Sequence, residues 1–234
     1  MLNETKIIAI HQPNFIPWLG YFHKIAQSDI FVLLDTVSYS KNSFINRNRI
    51  KTPQGEQWLT LPVTKPFYNS SQIKDVQLSQ PVFVLPKILR TIQMNYGKTP
   101  HFKKYFTQFE AILMQPYSNM ATINIDIIKW LVESFSIQTP LIKSSTLAVS
   151  TIEPTQRLIE ICKKLDGKLY YSGRGGDNYQ QHGKFKEENI EVILTDFKHP
   201  LYPQLWGDFI PNLSALDYLF NVGPIAKDFF STSE

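Results

Sequence analysis

The sequence predicts an α/β protein built on a mainly parallel β-sheet. Residues 7–10 form a short apolar run rich in β-branched side chains, which is typical of a buried strand. A loop with two prolines follows, then residues 19–27 with helical spacing of apolar side chains, then a second apolar run at 30–34. This order is a βαβ opening, whose two strands run parallel in one sheet.

The later elements extend that opening. Helical spacing at residues 82–95, 102–114 and 120–135 predicts a helical middle segment. Further strands are predicted at 57–63, 73–78, 141–145, 168–172 and 191–197, and further helices at 154–165 and 214–221, the last capped by Ser214. We expect one domain over residues 1–234, with candidate lobes at 1–80 (α/β), 81–140 (helical) and 141–234 (a smaller α/β portion).

Composition narrows the function classes. The 234 residues carry 24 Lys and Arg against 20 Asp and Glu, a formal charge of +4. A mild positive charge suits a small anionic substrate, and no long basic run marks a nucleic-acid arm. The single cysteine, Cys162, excludes an internal disulfide framework and a multi-cysteine zinc site, and its helical context predicts a core residue.

Hydropathy predicts neither a membrane span nor a secretory leader. No stretch approaches about 18 consecutive apolar residues, and the first apolar run has only four. We therefore expect a cytoplasmic protein.

The loop after the first strand is the first candidate site. Ligands of parallel α/β sheets bind at the carboxyl ends of the strands, and a helix N-terminus there favours anions. His11 and Gln12 occupy this place. Asp35 ends the second strand at the same rim and could hold a ligand or cap its own turn. The alternative for His11 is that it satisfies loop carbonyls.

Two further segments carry polar side chains suited to anions. Lys41, Asn46, Arg47 and Arg49 lie in a polar stretch, and in an extended chain the two arginines share one face and could grip one anion. The alternative is a solvated basic loop.

The second of these segments follows a predicted strand. Tyr171 leads into Gly173 and Arg174, where glycines would let backbone N–H groups approach a ligand; a tight turn is the alternative. The histidines lack zinc spacing, so no bound metal is expected.

Taken together and in order, these segments resemble the WbqC-like protein family. The matching residues are 10–24, Asp29, 35–41, 46–48, 171–173, Tyr179, 199–200, 202–204, 213–217 and 220–223. The resemblance implies an enzyme of bacterial surface-polysaccharide (O-antigen) biosynthesis. Its expected activity is that of a transferase attaching a small acyl or aminoacyl group to a nucleotide-linked amino sugar.

Under this hypothesis each candidate residue has a role. Arg47 and Arg49, with Arg174 as a further candidate, hold the diphosphate, and Lys41 is another substrate-binding residue. His11 is the general base, and Asp35 orients either the substrate or His11. Gln12, Asn46, Tyr171 and Gly173 complete the substrate site. The expected partner is a nucleotide sugar rather than nucleic acid, and a homo-oligomer is compatible with the sequence.

Two alternatives stay open. The opening architecture is also similar to nucleotidyltransferases of the HIGH superfamily, whose signature is two histidines around a glycine; here only Gly20 remains. Such a nucleotidyltransferase or carboxylate-activating enzyme would need ATP and magnesium, whereas the leading hypothesis assigns no cofactor. The other alternative is a non-catalytic protein that binds a sugar nucleotide.

Overall fold

The computed structural model describes residues 5–64, 71–177 and 180–225. The strands are β1 (Ile7–His11), β2 (Ile30–Leu33), β3 (Arg47–Thr52), β4 (Gly55–Thr60), β5 (Leu141–Lys143), β6 (Leu169–Ser172) and β7 (Glu191–Leu194). The helices are α1 (Leu19–Ala26), α2 (Pro81–Tyr96), α3 (Phe102–Leu113), α4 (Met120–Ser134), α5 (Pro154–Lys164), α6 (Arg174–Asp177), α7 (His182–Glu187) and α8 (Ala215–Asn221).

A five-stranded sheet in the order β5-β2-β1-β6-β7 forms the centre of the protein. All four strand pairs are parallel. The mainly parallel sheet, the βαβ opening and the helical middle segment are therefore confirmed. β2 and then β5 lie on one side of β1, whereas β6 and then β7 lie on its other side. The strand order therefore reverses between β1 and β6.

Each face of the sheet packs against its own hydrophobic core, because successive side chains along a strand point to opposite faces. Ala9 and Phe31 face the larger core, which α1 to α4 and α8 cover. Ile8 and Ile10 face the smaller core, where they meet Cys162 of α5. Cys162 is fully buried, which confirms its prediction as a core residue.

A separate hairpin of β3 and β4 supports the loop at residues 12–18. Gly55 turns the hairpin at φ +101°, a conformation that side chains disfavour. The buried amide of Asn48 in β3 donates to the Ile16 carbonyl (2.8 Å). Asn124 of α4 donates to the carbonyls of Pro13 (2.9 Å) and Ile45 (2.7 Å). These amides fix the loop that follows β1.

Some predicted elements are wrong in detail. Residues 73–78 are a 3-10 turn (Ile73–Asp75) and isolated bridges, because a turn buries Ile73 and Val76, three residues apart. Strand β7 ends at Leu194, and the glycine segment after β6 begins the short helix α6. The first and third candidate lobes share one sheet, and their boundaries stay a prediction.

Within the described ranges, no helix is both long and apolar enough to cross a lipid bilayer.

Candidate functional site

The pairing of β1 with β6 ends before β1 does, at the point where the strand order of the sheet reverses. Their register ends with Ala9 opposite Tyr171, whereas β1 continues beside β2 through His11. The His11 carbonyl accepts from the Leu34 amide on the β2 side (2.8 Å), so the preceding carbonyl, of Ile10, points towards β6. We call this place the β1–β6 crevice. It is where doubly wound sheets bind ligands, because the strand order reverses there.

Lys24 of α1 reaches into the β1–β6 crevice. Its Nζ donates to the Ile10 carbonyl (2.7 Å) and lies 5.9 Å from the centroid of the Tyr170 ring. The side chain is buried, and no carboxylate or second acceptor contacts the ammonium among the described residues. Burial lowers the pKa of Lys24 from its usual 10.5 to about 7, against a smaller opposing effect of Cys162.

His11 stands beside this lysine as a neutral base. Its Nδ1 lies 3.1 Å from the Gln12 carbonyl, which can only accept, so Nδ1 carries the proton and Nε2 keeps its lone pair. The Tyr21 hydroxyl donates to the same carbonyl (3.0 Å), and the two rings meet edge to face. Burial, and secondarily the charge of Lys24, lowers the pKa of His11 to about 4. The imidazole is therefore uncharged at neutral pH.

The β6 side of the crevice holds the other polar candidates. Arg174 donates to Asp196 (2.8 Å), but both side chains are more than two-thirds exposed, so the pair exchanges easily with solvent or a ligand. A side chain at Gly173 would meet no atom within 4 Å, so the space beside it is open. Burial raises the pKa of Tyr171, which therefore keeps its hydroxyl proton.

A wall of aromatic rings borders the crevice. His23 lies 5.2 Å from Phe197 and 6.3 Å from Tyr171, measured between ring centroids. Phe197 in turn lies 5.5 Å from Trp18 and 6.0 Å from His199. We call these five residues the aromatic wall. All but His23 are partly exposed, so flat apolar surface adjoins the cationic crevice.

The basic stretch lies on the hairpin. Arg47 and Arg49 are in β3, so the extended conformation considered for them is present. The guanidinium carbons lie 4.3 Å and 5.7 Å from the Trp58 ring centroid, and Arg49 pairs with Glu56 (2.7 Å). In the described chain, no hydrogen bond, ion pair or ring contact joins either arginine to His11 or Lys24. Their binding of the same ligand stays a prediction.

The remaining candidates of the polar stretch differ in exposure. Asn46 is buried and donates to the Leu61 carbonyl (3.1 Å), whereas Lys41 is exposed in the preceding turn. Their predicted roles in substrate binding also stay predictions.

Asp35 follows β2, at the strand end next to His11, as expected. Its carboxylate accepts from the hydroxyl of Ser144 (2.8 Å) and from the backbone amide (2.9 Å) and hydroxyl (2.7 Å) of Ser145. It borders a separate cavity of about 620 Å³ at the ends of β2 and β5, which Lys74 and Lys143 also line and His11 does not. Its observed partners thus belong to the turn after β5.

Sequence reasoning assigned no role to Phe197, nor to His23 and Lys24, although the latter two lie in the matching block 10–24. A signal for Lys24 was present, since no Asp or Glu occurs in α1 to pair with a lysine on its apolar face. Tyr179 of the motif after β6 lies outside the described residues. Among the residues described, no group of three His, Cys, Asp or Glu side chains could hold a metal ion.

Fold and site define an α/β protein with a cationic crevice at the strand-order reversal of a parallel sheet. The model of the WbqC-like protein family matches residues 12–229. The chain is also 34% identical over 226 residues to uncharacterized protein Rv1507c of Mycobacterium tuberculosis (strain ATCC 25618 / H37Rv), across 96% of this chain and 97% of that protein. The chain therefore belongs to the WbqC-like protein family, as its motifs predicted. No solved structure matches it.

Proposed function

We propose that the chain is a cytoplasmic transferase of bacterial surface-polysaccharide biosynthesis, which attaches a small acyl or aminoacyl group to a nucleotide-linked amino sugar. The observation that carries this proposal is the β1–β6 crevice, where a buried lysine and a neutral histidine meet without an acidic partner among the described residues. A ligand with negative charge and a proton to give up complements that pair. The phosphates and amine of such a sugar supply both.

The transfer step assigns His11 a defined role. The sugar amine attacks the carbonyl carbon of an activated acyl donor, a nitrogen–carbon bond forms, and the bond from that carbon to the leaving group breaks. Nε2 of His11 takes the proton that the amine loses and passes it to the leaving group. Fixing Nδ1–H on the Gln12 carbonyl keeps Nε2 available for this transfer.

The other candidates fit around this centre. Lys24 and Arg174 neutralise the diphosphate, and the open space beside Gly173 admits it. The aromatic wall offers flat surface on which the nucleobase stacks, as bases do on exposed rings. Asp35 acts by positioning, since it ties the end of β2 to the turn after β5.

Binding and turnover separate this proposal from its rivals. A uridine diphosphate amino sugar is titrated calorimetrically into the protein and into His11→Gln, and acyl transfer from a thioester donor is followed by mass spectrometry. We expect similar affinities and a loss of turnover of about 100-fold or more in the variant. Binding without turnover in the unaltered protein, with several acyl donors, would favour the non-catalytic alternative.

The strand order supports a second candidate, the HIGH-like nucleotidyltransferase. Counted without the hairpin, the sheet runs 3-2-1-4-5, the arrangement in which doubly wound folds bind nucleotides at the first strand. This candidate predicts ATP- and magnesium-dependent release of diphosphate when a carboxylate or phosphorylated substrate is supplied. Acyl transfer without ATP would argue against it.

A further inference from the structure

Two buried lysines in this protein have opposite surroundings. Lys51 of β3 is 1% exposed, and its ammonium donates to Gln204 Oε1 (3.0 Å) and to the carbonyls of Gly207 (3.4 Å) and Asp208. Lys24 is 3% exposed and donates only to the Ile10 carbonyl within the described residues. The ammonium of Lys51 thus has three acceptors, whereas that of Lys24 has a single acceptor among the described residues.

Among the described residues, no element packed around Lys24 places a carboxylate in contact with its ammonium. His11 faces it from β1, Tyr170 from β6 and Cys162 from α5, and His23 and Tyr21 flank it on α1. Burial raises the pKa of both the Cys162 thiol and the Tyr170 hydroxyl to about 12, so both stay neutral at physiological pH. A buried ammonium without a counter-ion is costly, and an entering anion would remove that cost.

We propose that Lys24 is the binding group of an oxyanion site in the β1–β6 crevice, which takes up a phosphate-type anion and a proton together. His11 is electrostatically coupled to Lys24, and Gly173, which has open space beside it, follows the Ala9–Tyr171 pair at the same strand end. The proposed function names the diphosphate of a nucleotide sugar as the natural anion. The site itself rests on the uncompensated lysine alone.

Linkage gives this proposal a measurable signature. An anion favours the charged form of a neighbouring amine, so binding raises the pKa of Lys24 above its value of about 7 in the free protein. Above pH 7 the Lys24 amine is mostly deprotonated in the free protein, whereas it is protonated in the anion-bound protein. Affinity should therefore fall as pH rises, by up to about tenfold per pH unit.

The experiment is calorimetric titration at pH 6 and pH 8 in buffers of different ionisation enthalpy. The probes are sodium sulfate and uridine diphosphate N-acetylglucosamine, because neither changes its own protonation between these pH values. We expect uptake of most of one proton per site at pH 8 and much less at pH 6. His11→Asn should retain the uptake at pH 8, which separates the lysine from the histidine.

Three variants test the residue itself. Lys24→Met should lose the proton uptake and weaken binding of both probes about tenfold or more. Lys24→Arg keeps the charge but does not deprotonate, so it should bind without uptake. Lys143→Met removes one exposed lysine at a different strand end and should leave both quantities unchanged. Thermal unfolding of each variant confirms that it is folded.

The outcomes separate this inference from the proposed function. Nucleotide-sugar binding that takes up no proton in the parent protein at pH 8, or that survives Lys24→Met unchanged, overturns the inference and leaves the proposed function standing. Should Lys24→Met not fold, proton uptake that persists in Lys24→Arg overturns the inference in the same way. If sulfate binding takes up a proton only when Lys24 is present, and the nucleotide sugar does not bind, the inference is supported and the proposed function is contradicted. Absence of binding by either probe contradicts both.

Discussion

The indole ring of Trp18 lies over Gly20, so that a β-carbon at Gly20 would stand 2.5 Å from Cζ2 of the indole. The first turn of α1 can approach this ring only because Gly20 has no side chain. The same ring packs on Phe197 of the aromatic wall at 5.5 Å. Gly20, the residue that the motif shares with the HIGH signature, therefore sets the position of the wall.

Gly20→Ala should destabilise the protein despite the better helix propensity of alanine. Propensity favours alanine by about 1 kcal/mol, but overpacking against Trp18 costs about 1–3 kcal/mol. Urea unfolding measures the difference. Gly183→Ala in α7 is the matched control, because a β-carbon there meets nothing within 4 Å, and it should stabilise. A Gly20→Ala variant as stable as Gly183→Ala would contradict the role given to Trp18.

Lys24→Met should stabilise the ligand-free protein. Burial lowers the pKa of Lys24 from 10.5 to about 7, so between these values the unfolded chain holds a proton that the folded chain lacks. Stability therefore rises with pH across this interval in the parent protein, and the variant loses that contribution. At pH 7 the variant should gain about 2–5 kcal/mol, and the gain should shrink towards pH 9.5. A less stable variant would show that Lys24 is structural.

Lys51→Met should have the opposite effect, although the two lysines are equally buried. It leaves Gln204 Oε1 and the carbonyls of Gly207 and Asp208 without their donor. It also removes the charge beside the buried Asp217, whose pKa burial raises. A loss of about 3 kcal/mol or more is expected from chemical denaturation. If Lys24→Met and Lys51→Met changed the free energy of unfolding equally, the different hydrogen-bonding of the two ammonium groups would not affect stability.

Arg47→Lys tests the hairpin as part of the substrate site. If the guanidinium forks onto a phosphate, a lysine should weaken nucleotide-sugar binding about tenfold, since it offers one point charge. Losing the contact with Trp58 should cost only about 0.5–1 kcal/mol of stability. Arg49→Lys, at the arginine already paired with Glu56, is the comparison. Unchanged affinity in calorimetric titration would remove Arg47 from the site.

Phe197→Leu tests the aromatic wall as the nucleobase site. Stacking of a base contributes about 1–3 kcal/mol, so nucleotide-sugar affinity should fall about tenfold. Sulfate has no base, and its affinity should not change. Phe44→Leu, at an exposed ring in the turn before β3, should affect neither. A parallel loss for both probes would indicate that Phe197 only supports the crevice.

Periodicity predicted the sheet and the long helices because apolar spacing alone specifies them. It failed at residues 73–78 because Ile73 and Val76 bury equally well in a 3-10 turn, and it missed α7, which has only six residues. The sequence placed His11 and Asp35 on neighbouring strand ends, because parallel strands end at one rim. It could not show that Ser144 and Ser145 surround Asp35, since these residues lie more than 100 positions away.

Lys24 was hidden for a related reason. A lysine in a short helix is normally solvated, and only the pairing of β1 with β6 shows that this one is enclosed. The elements around it, β6 and α5, begin 130 or more residues further along the chain. Side-chain chemistry identified the candidates near β1, but long-range strand pairing decided which of them lie at the same strand end.

The parallel pairing of β1 with β6 also dictates when the site comes into existence. During synthesis, α1 emerges long before β6, and until β6 docks the Lys24 amine remains in water with an ordinary affinity for protons. Contacts of such sequence separation form late in folding. The protein thus acquires its unusual lysine only at the completion of its sheet, and a chain truncated before β6 would carry the whole opening motif without the chemistry.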